Sequence, residues 1–299
     1  MSTPGPVIGE LRALHRYPVK SMAGESIAES RVEPRLGLRG DRAWAVRDLA
    51  AGEIRGAKKI PGLLDCRARY VGEPQREASA PIELHLGDLG RIRSDEAGAS
   101  ERLSQRIGRE LLLCPRAPAS ETAHYLRAES ITDMEAEIRK SSELLPDESL
   151  PSMDAAPEEI REMAHYVSPP GTYFDFFDLH LLSLRSLASL ATRTPDSVID
   201  PRRFRPNLLV DLEAPSDADD DWPEIGWVGR TLAIGEAELE VVMPMMRCVM
   251  TTHAQQGLPK DPTIMRTLVR ECDMSLGIGI QVRRGGLVRS GDEIRVLKD

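Results

Sequence analysis

The stretch ELEVVMPMMRCVMTT, residues 238–252, decides how this chain is read. Its valines and dense apolar residues mark a β-strand, and Cys248 stands near the end of that run beside Arg247. Neighbours on a strand point to opposite faces, so both reach one site only at a bulge or at the strand's end. Working outward, TLAIG before this stretch reads as a strand. So do GIGIQVRR and EIRVL after it, joined by GGLVRSGD. The first 115 or so residues behave alike: LRALHRYPV, AWAVRD, DCRARYV and IELHL are separated by Gly, Pro and Asp turn signals.

Helices are few. Apolar spacing predicts one over 99–111, one from about 179 to 193, and one over 262–272, where Asp261 suits the N-cap and Pro262 the first turn. The expected fold is mainly β with a few helices, in two β-rich barrel-like domains over 1–117 and 172–299. Between them, 118–171 reads as an acidic surface excursion or linker with helical pieces such as PEEIREMAHYV at 157–167, closed by SPPG.

With 299 residues, 41% hydrophobic and 29% charged, the chain has the composition of a globular protein with a full core. Aromatics at 4% and a net charge of −9 argue against nucleic acid as a partner. That charge is unevenly spread. Residues 129–162 carry −8 and 213–224 carry −6, leaving +5 for the rest, a body able to hold a compact anion. The longest apolar stretch, 179–191, is broken by His180 and Arg185 and falls short of the ~20 residues of a membrane span. No secretory signal is visible in MSTPGPVIGE. The four cysteines lack CxxC or zinc spacing. No membrane partner and a cytoplasmic, reducing location are therefore expected.

Four polar segments stand at turns beside strands: RYPVKS (16–21), GLRGDRAW (37–44), PRRFRPN (201–207) and MMRCVMTTH (245–253). Pro18 fixes the turn from which Lys20 and Ser21 project, and Gly37 and Gly40 allow the turn before Arg42. Arg202 and Arg203 read as a solvated basic turn, whereas Arg205 and Asn207, framed by Phe204 and Pro206, suit phosphate or carboxylate binding. Cys66, Cys114 and Cys272 read as buried apolar thiols. Cys248 differs, because the guanidinium beside it favours a thiolate, the soft ligand of a transition metal. There is no GxSxG, HExxH or P-loop lysine.

In this order, YPVKS, GLRGDRAW, RFRPN and RC-x-x-TT resemble the MOSC family, named for the molybdenum cofactor sulfurase C-terminal domain, together with its N-terminal β-barrel domain. The ending SLGIGIQVRRGGLVRSGDEIRVL is similar to that family's closing strands. The group most resembled contains the mitochondrial amidoxime-reducing component and its bacterial relatives. The resemblance implies a molybdopterin-type molybdenum cofactor between the domains, with Cys248 as catalytic residue and metal ligand. Lys20, Ser21, Arg42, Arg205, Asn207 and Arg247 would hold the cofactor, with Ser183 and Ser186 at a helix start. It also implies reduction of N-hydroxylated small molecules, the redox chemistry belonging to the cofactor.

No C-x4-C-x2-C run is present, so no iron–sulfur cluster is expected, and electrons would come from a separate donor protein of ferredoxin or cytochrome b5 type with its reductase. Pyridoxal phosphate is not expected. His253-Ala254 follow the TT pair where the family often has Val-Asp. Two other readings are a cofactor carrier or sulfur-relay protein, and a module whose acidic 129–162 segment binds a basic partner.

Overall fold

The computed structural model describes residues 3–76, 79–151, 163–213 and 221–298. The N-terminal part contributes, in chain order, β1 (Thr3–Arg16), β2 (Glu25–Ile27), β3 (Glu29–Glu33), β4 (Gly37–Leu38), β5 (Trp44–Asp48) and β6 (Glu53–Arg55). It continues with β7 (Arg67–Tyr70), β8 (Ile82–His85), β9 (Arg91–Arg93), α1 (Ala99–Ile107) and β10 (Leu111–Pro115). Helix α2 (Met134–Ser142) follows. The C-terminal part holds β11 (Leu179–Ser183), α3 (Leu184–Arg193), α4 (Pro201–Phe204), β12 (Leu208–Leu212), β13 (Thr231–Ile234) and β14 (Ala237–Met246). It ends with α5 (Pro262–Glu271), β15 (Ser275–Arg284), β16 (Gly286–Arg289) and β17 (Glu293–Lys298).

Seven strands close into a barrel in the order β12-β11-β15-β14-β13-β17-β1, and β1 pairs back to β12. Closure removes exposed sheet edges. Neighbours run antiparallel except β11 and β12, a parallel pair whose crossover is supplied by α3 and α4. Alternate residues such as Leu239 and Val241 of β14 and Ile278 and Ile280 of β15 fill the interior without exposure. Leu187 and Leu190 of α3 pack with Ile264 and Leu268 of α5 in a second layer outside it.

The N-terminal part forms smaller sheets, β10-β5-β6 and the meander β7-β8-β9, around Val46, Leu63, Ile82, Leu84 and Leu103. The halves are interlaced. β1 is a barrel strand between β12 and β17, and β3 pairs with β16. Mainly β architecture with five α-helices among the described residues agrees with expectation. Among them no helix is long and apolar enough to cross a membrane.

Several local expectations need correction. The helix expected from about 179 begins only at Leu184. Residues 179–183 are fully buried strand, pairing with β12 on one side and β15 on the other, so burial between two strands overrides helical spacing. Ser183 stays extended and its hydroxyl accepts the Ser186 amide at 2.9 Å, which starts α3. Helix α1 stops at Ile107 because Gly108 takes a left-handed conformation (φ 74°), releasing Leu111 into β10. GLVR, expected to be loop, is strand β16 because it pairs with β3. Most of the helical piece at 157–167 lies outside the described residues. Asp261 caps α5 as expected, accepting the Thr263 amide at 3.0 Å.

Candidate functional site

Strand β14 ends at Met246, and that ending decides the site. Arg247 continues with its amide bonded to the Met274 carbonyl at 2.7 Å, and Cys248 opens a tight turn over Val249–Thr252. With the strand over, Arg247 and Cys248 line the same cleft. Lys20, Ser21, Arg42, Arg205 and Asn207 line it too. All seven residues from the four segments are thus gathered from stretches up to 228 residues apart.

The cleft floor is organised by Asp41, 1% exposed. Its carboxylate accepts the Tyr17 amide at 2.7 Å and the Asn207 side-chain amide at 3.0 Å, and it pairs with Arg42. Asn207 also accepts from Arg42 at 3.2 Å and from the His180 amide at 3.2 Å. Arg205 lies over the Tyr17 ring at 4.2 Å, with Arg42 4.9 Å from the same ring. Lys20 Nζ donates to the Tyr173 carbonyl at 2.9 Å and to Asp175 at 2.6 Å.

Ser21 (φ 68°), Arg42 (φ 46°) and Arg205 (φ 57°) all hold left-handed backbone. Such geometry costs on the order of 1–3 kcal/mol per residue and persists where surroundings dictate it. Here it turns three polar side chains towards one space.

Two donors in this cleft have no partner. Arg205 Nη2 and Arg247 Nε are buried without a hydrogen bond, although Arg205 Nη1 reaches the Met22 carbonyl and Arg247 Nη2 the Phe204 carbonyl, both at 2.6 Å. Burial, with other cations nearby, pushes both guanidinium groups down to about 10. Burial also lowers Lys20 against the pull of Asp175. Burial alone would raise Asp175, but Lys20 and Lys58 hold its carboxyl well below the usual range. This is a concentration of incompletely compensated positive charge beside a free thiol, suited to an anion.

The other cysteines are buried, with burial pushing Cys66 up to about 11 and Cys272 up to about 12. They are inert packing, as expected.

Some residues fall elsewhere. Ser183 and Ser186 do not line the cleft: both hydroxyls donate to the buried Glu224 carboxylate at 2.7 Å. Arg202 is solvated as expected, but Arg203 is not. It is 1% exposed and donates to the carbonyls of Val198, Thr251, His253 and Pro259. Four inward-facing carbonyls satisfy its donors, which is why a third arginine in four positions can be buried.

Lys58, Arg127 and Asp175 also line the cleft, and sequence reading missed them. The anionic form of Cys248 raises Lys58, with burial opposing. Lys58 sits in an ordinary GAKKI turn with no local signature.

His180 lines the cleft and is 4% exposed, its Nε2 at 3.2 Å from the Leu276 carbonyl. Burial, reinforced by Arg247, lowers it well below its usual value, so the folded protein holds it neutral. The unfolded chain binds that proton more readily, and stability falls as pH drops below 6.5. The loss is about 1.4 kcal/mol per pH unit down to the folded value. Urea unfolding at pH 7 and pH 5 should show this slope reduced by that amount in His180→Gln, which keeps a donor for Leu276. An equal slope in both proteins would refute it.

A closed seven-stranded barrel interlaced with smaller N-terminal sheets is consistent with MOSC barrel-like domains. The chain matches the MOSC N-terminal beta barrel domain over residues 8–91 and the MOSC domain over residues 172–295, and it belongs to that family. It is 24% identical over 321 residues to mitochondrial amidoxime-reducing component 1 of Homo sapiens, covering 97% of this chain and 83% of that protein. It is 25% identical over 320 residues to mitochondrial amidoxime reducing component 2 of Rattus norvegicus, covering 98% and 84%. Among solved structures, the YUAD protein from Bacillus subtilis matches with 21% identity and a TM-score of 0.35, over 44% of this chain and 70% of that one.

Proposed function

We propose that this protein is a molybdenum-cofactor-dependent oxidoreductase that reduces N-hydroxylated small molecules, with Cys248 as the protein ligand to the metal. The observation that carries this is the pair of unpartnered buried donors, Arg205 Nη2 and Arg247 Nε, in the cleft that also holds the free thiol of Cys248. Buried donors normally find acceptors, and an anionic pterin tail provides them. The relatives' names, amidoxime-reducing components, favour a reductase.

Lys20, Ser21, Arg42, Arg205, Asn207 and Arg247 would hold the anionic cofactor. A single thiolate is an incomplete metal site, and among the described residues no group of three or more His, Cys, Asp or Glu stands together. The remaining metal ligands would have to come from the cofactor itself, which when bound would supply the two-electron chemistry that cleaves an N–O bond.

The chain's residues do the rest. Arg247 places positive charge beside the Cys248 sulfur that would ligate the metal. Asp41 and Asn207 lock Arg42 in place, so the cradle loses little freedom on binding. Lys58, in the same cleft and within charge range of Cys248, would add a cation at the metal end. Electrons would arrive from a separate ferredoxin- or cytochrome b5-type donor with its reductase.

The test is molybdenum and pterin content of protein made in a cofactor-competent host. Near-stoichiometric molybdenum is expected in wild type and a sharp loss in Cys248→Ser, whose hydroxyl is a poor soft-metal ligand. Wild type containing neither would sink the reading. Retained cofactor that never turns over with any reductase would point instead to a cofactor carrier.

A further inference from the structure

Residues 92–171 lie between the two matched domains, and within them the described stretches 125–151 and 163–167 lie along the cleft as a fastened cover. Its two legs are joined by backbone bonds from Arg127 to His165 and Ile131 to Ala164, both 2.8 Å, and from Val167 to Tyr125 at 2.9 Å. Asp133 caps α2 by accepting the Ala136 amide at 3.0 Å. The far end of α2 is held by Arg266 of α5, which donates to the Ser142 and Glu143 carbonyls at 3.2 and 2.8 Å and pairs with Glu148. These ties place Ile131, Met134, Ile138 and Met163 along one cleft containing Cys248.

The lining of that cleft is unusual for this chain. It takes all four phenylalanines and five of the eleven methionines in the sequence. Phe174 and Phe204 flank the cradle arginines Arg42 and Arg247 at 5.9 and 5.8 Å, but Ile131, Met134, Ile138 and Met163 of the cover offer an anionic cofactor tail neither charge nor hydrogen bond. Methionine is unbranched and polarizable and moulds itself to apolar or aromatic surfaces, and phenylalanine offers a ring to stack against. Glu137, the carboxylate of the cover that lines the cleft, lies within charge range of Lys58 and Arg127, so this wall offers no uncompensated negative charge to recruit a cationic group.

We propose that the cover determines specificity, seating an uncharged, ring-bearing part of the substrate against Met134, Ile138 and Met163 while its reducible end meets the Cys248 site. This rests on the reading of that site given above.

The test measures calorimetric binding of two neutral, non-reducible amides, 2-naphthamide and acetamide, to the full chain from a cofactor-competent host. Molybdenum is determined on the same sample. Naphthamide should bind at least about tenfold more tightly than acetamide, since its ring adds buried apolar area. Met134→Gln with Ile138→Gln should weaken naphthamide about tenfold and leave acetamide unchanged. Ile138→Trp, which fills the space without adding polarity, should exclude naphthamide alone. Urea midpoints confirm that the variants are folded.

Equal affinity for both amides in wild type, or naphthamide binding unchanged in both variants, overturns the inference. Molybdenum present with no ring preference overturns it while leaving the Cys248 reading standing. A ring preference in protein without molybdenum overturns its assignment to this reaction.

Discussion

Arg203→Met should lower the stability of the fold by about 3–5 kcal/mol, the range seen when one side of a buried charged hydrogen-bonded arrangement is removed. The guanidinium serves four carbonyls at once: Pro259 at 2.8 Å, Val198 at 3.0 Å, and Thr251 and His253 at 3.3 Å. Methionine fills most of the volume and satisfies none of them. Two of the carbonyls, Thr251 and His253, lie in and just after the turn that follows Cys248, so the loss also frees that turn. The expected result is a markedly lower urea midpoint accompanied by weaker molybdenum retention. Arg203→Lys, keeping charge but not the planar fork, should recover only part of the midpoint. A midpoint unchanged in Arg203→Met would show that the four bonds do not hold the turn.

The second large effect has opposite signs in the empty and loaded protein. Arg205→Met combined with Arg247→Met removes two buried groups, each with a donor left unpartnered. Without cofactor, removing them should cost little or even raise the melting temperature, because the penalty of burying those donors disappears. With cofactor, each lost charge-assisted bond is worth about 1.5–3 kcal/mol, so retention should fall about a hundredfold or more for the pair. Thermal unfolding of both forms, with molybdenum assayed on each, checks this. A double variant that keeps wild-type cofactor content would remove these arginines from the cradle.

The legible part of the site was the part written as turns. Pro18 before Lys20, Gly37 and Gly40 before Arg42, and Pro206 beside Arg205 are local signals, and each brought its neighbour into the cleft. Gly37 shows why: at φ +59° a Cβ there would stand 2.2 Å from the Asp178 carbonyl oxygen. The mainly β character was legible too, because alternating strands such as β14 bear one buried and one open face.

What escaped depends on partners distant in sequence. Leu179–Ser183 looks helical until β12 and β15 flank it. Arg203 looks solvated until four carbonyls close around it. Lys58, Asp175 and the apolar face of α2 carry no signature of their own; only the folded chain places them beside Cys248. The acidic excursion, read as a solvated surface, presents Ile131, Met134, Ile138 and Met163 to the cleft, while Leu126 and Leu145 stay exposed.

The barrel's closing seam joins the first strand of the structure to the last, Thr3 opposite Lys298 and Glu10 opposite Glu293. During synthesis β1 leaves the ribosome with both its major neighbours still unmade, since β12 begins at Leu208 and β17 at Glu293. The N-terminal sheets can assemble early, but most of a 14-residue strand must wait, its backbone donors and acceptors uncovered outside the short β2 pairing, until β12 and β17 have been made. Pairings of such sequence separation are slow to form. The cysteine turn and the arginine cradle share this barrel, so their cleft is complete only once β17 has been made and the seam has closed, and any ligand that needs the finished cleft must follow that step and compete with misassembly.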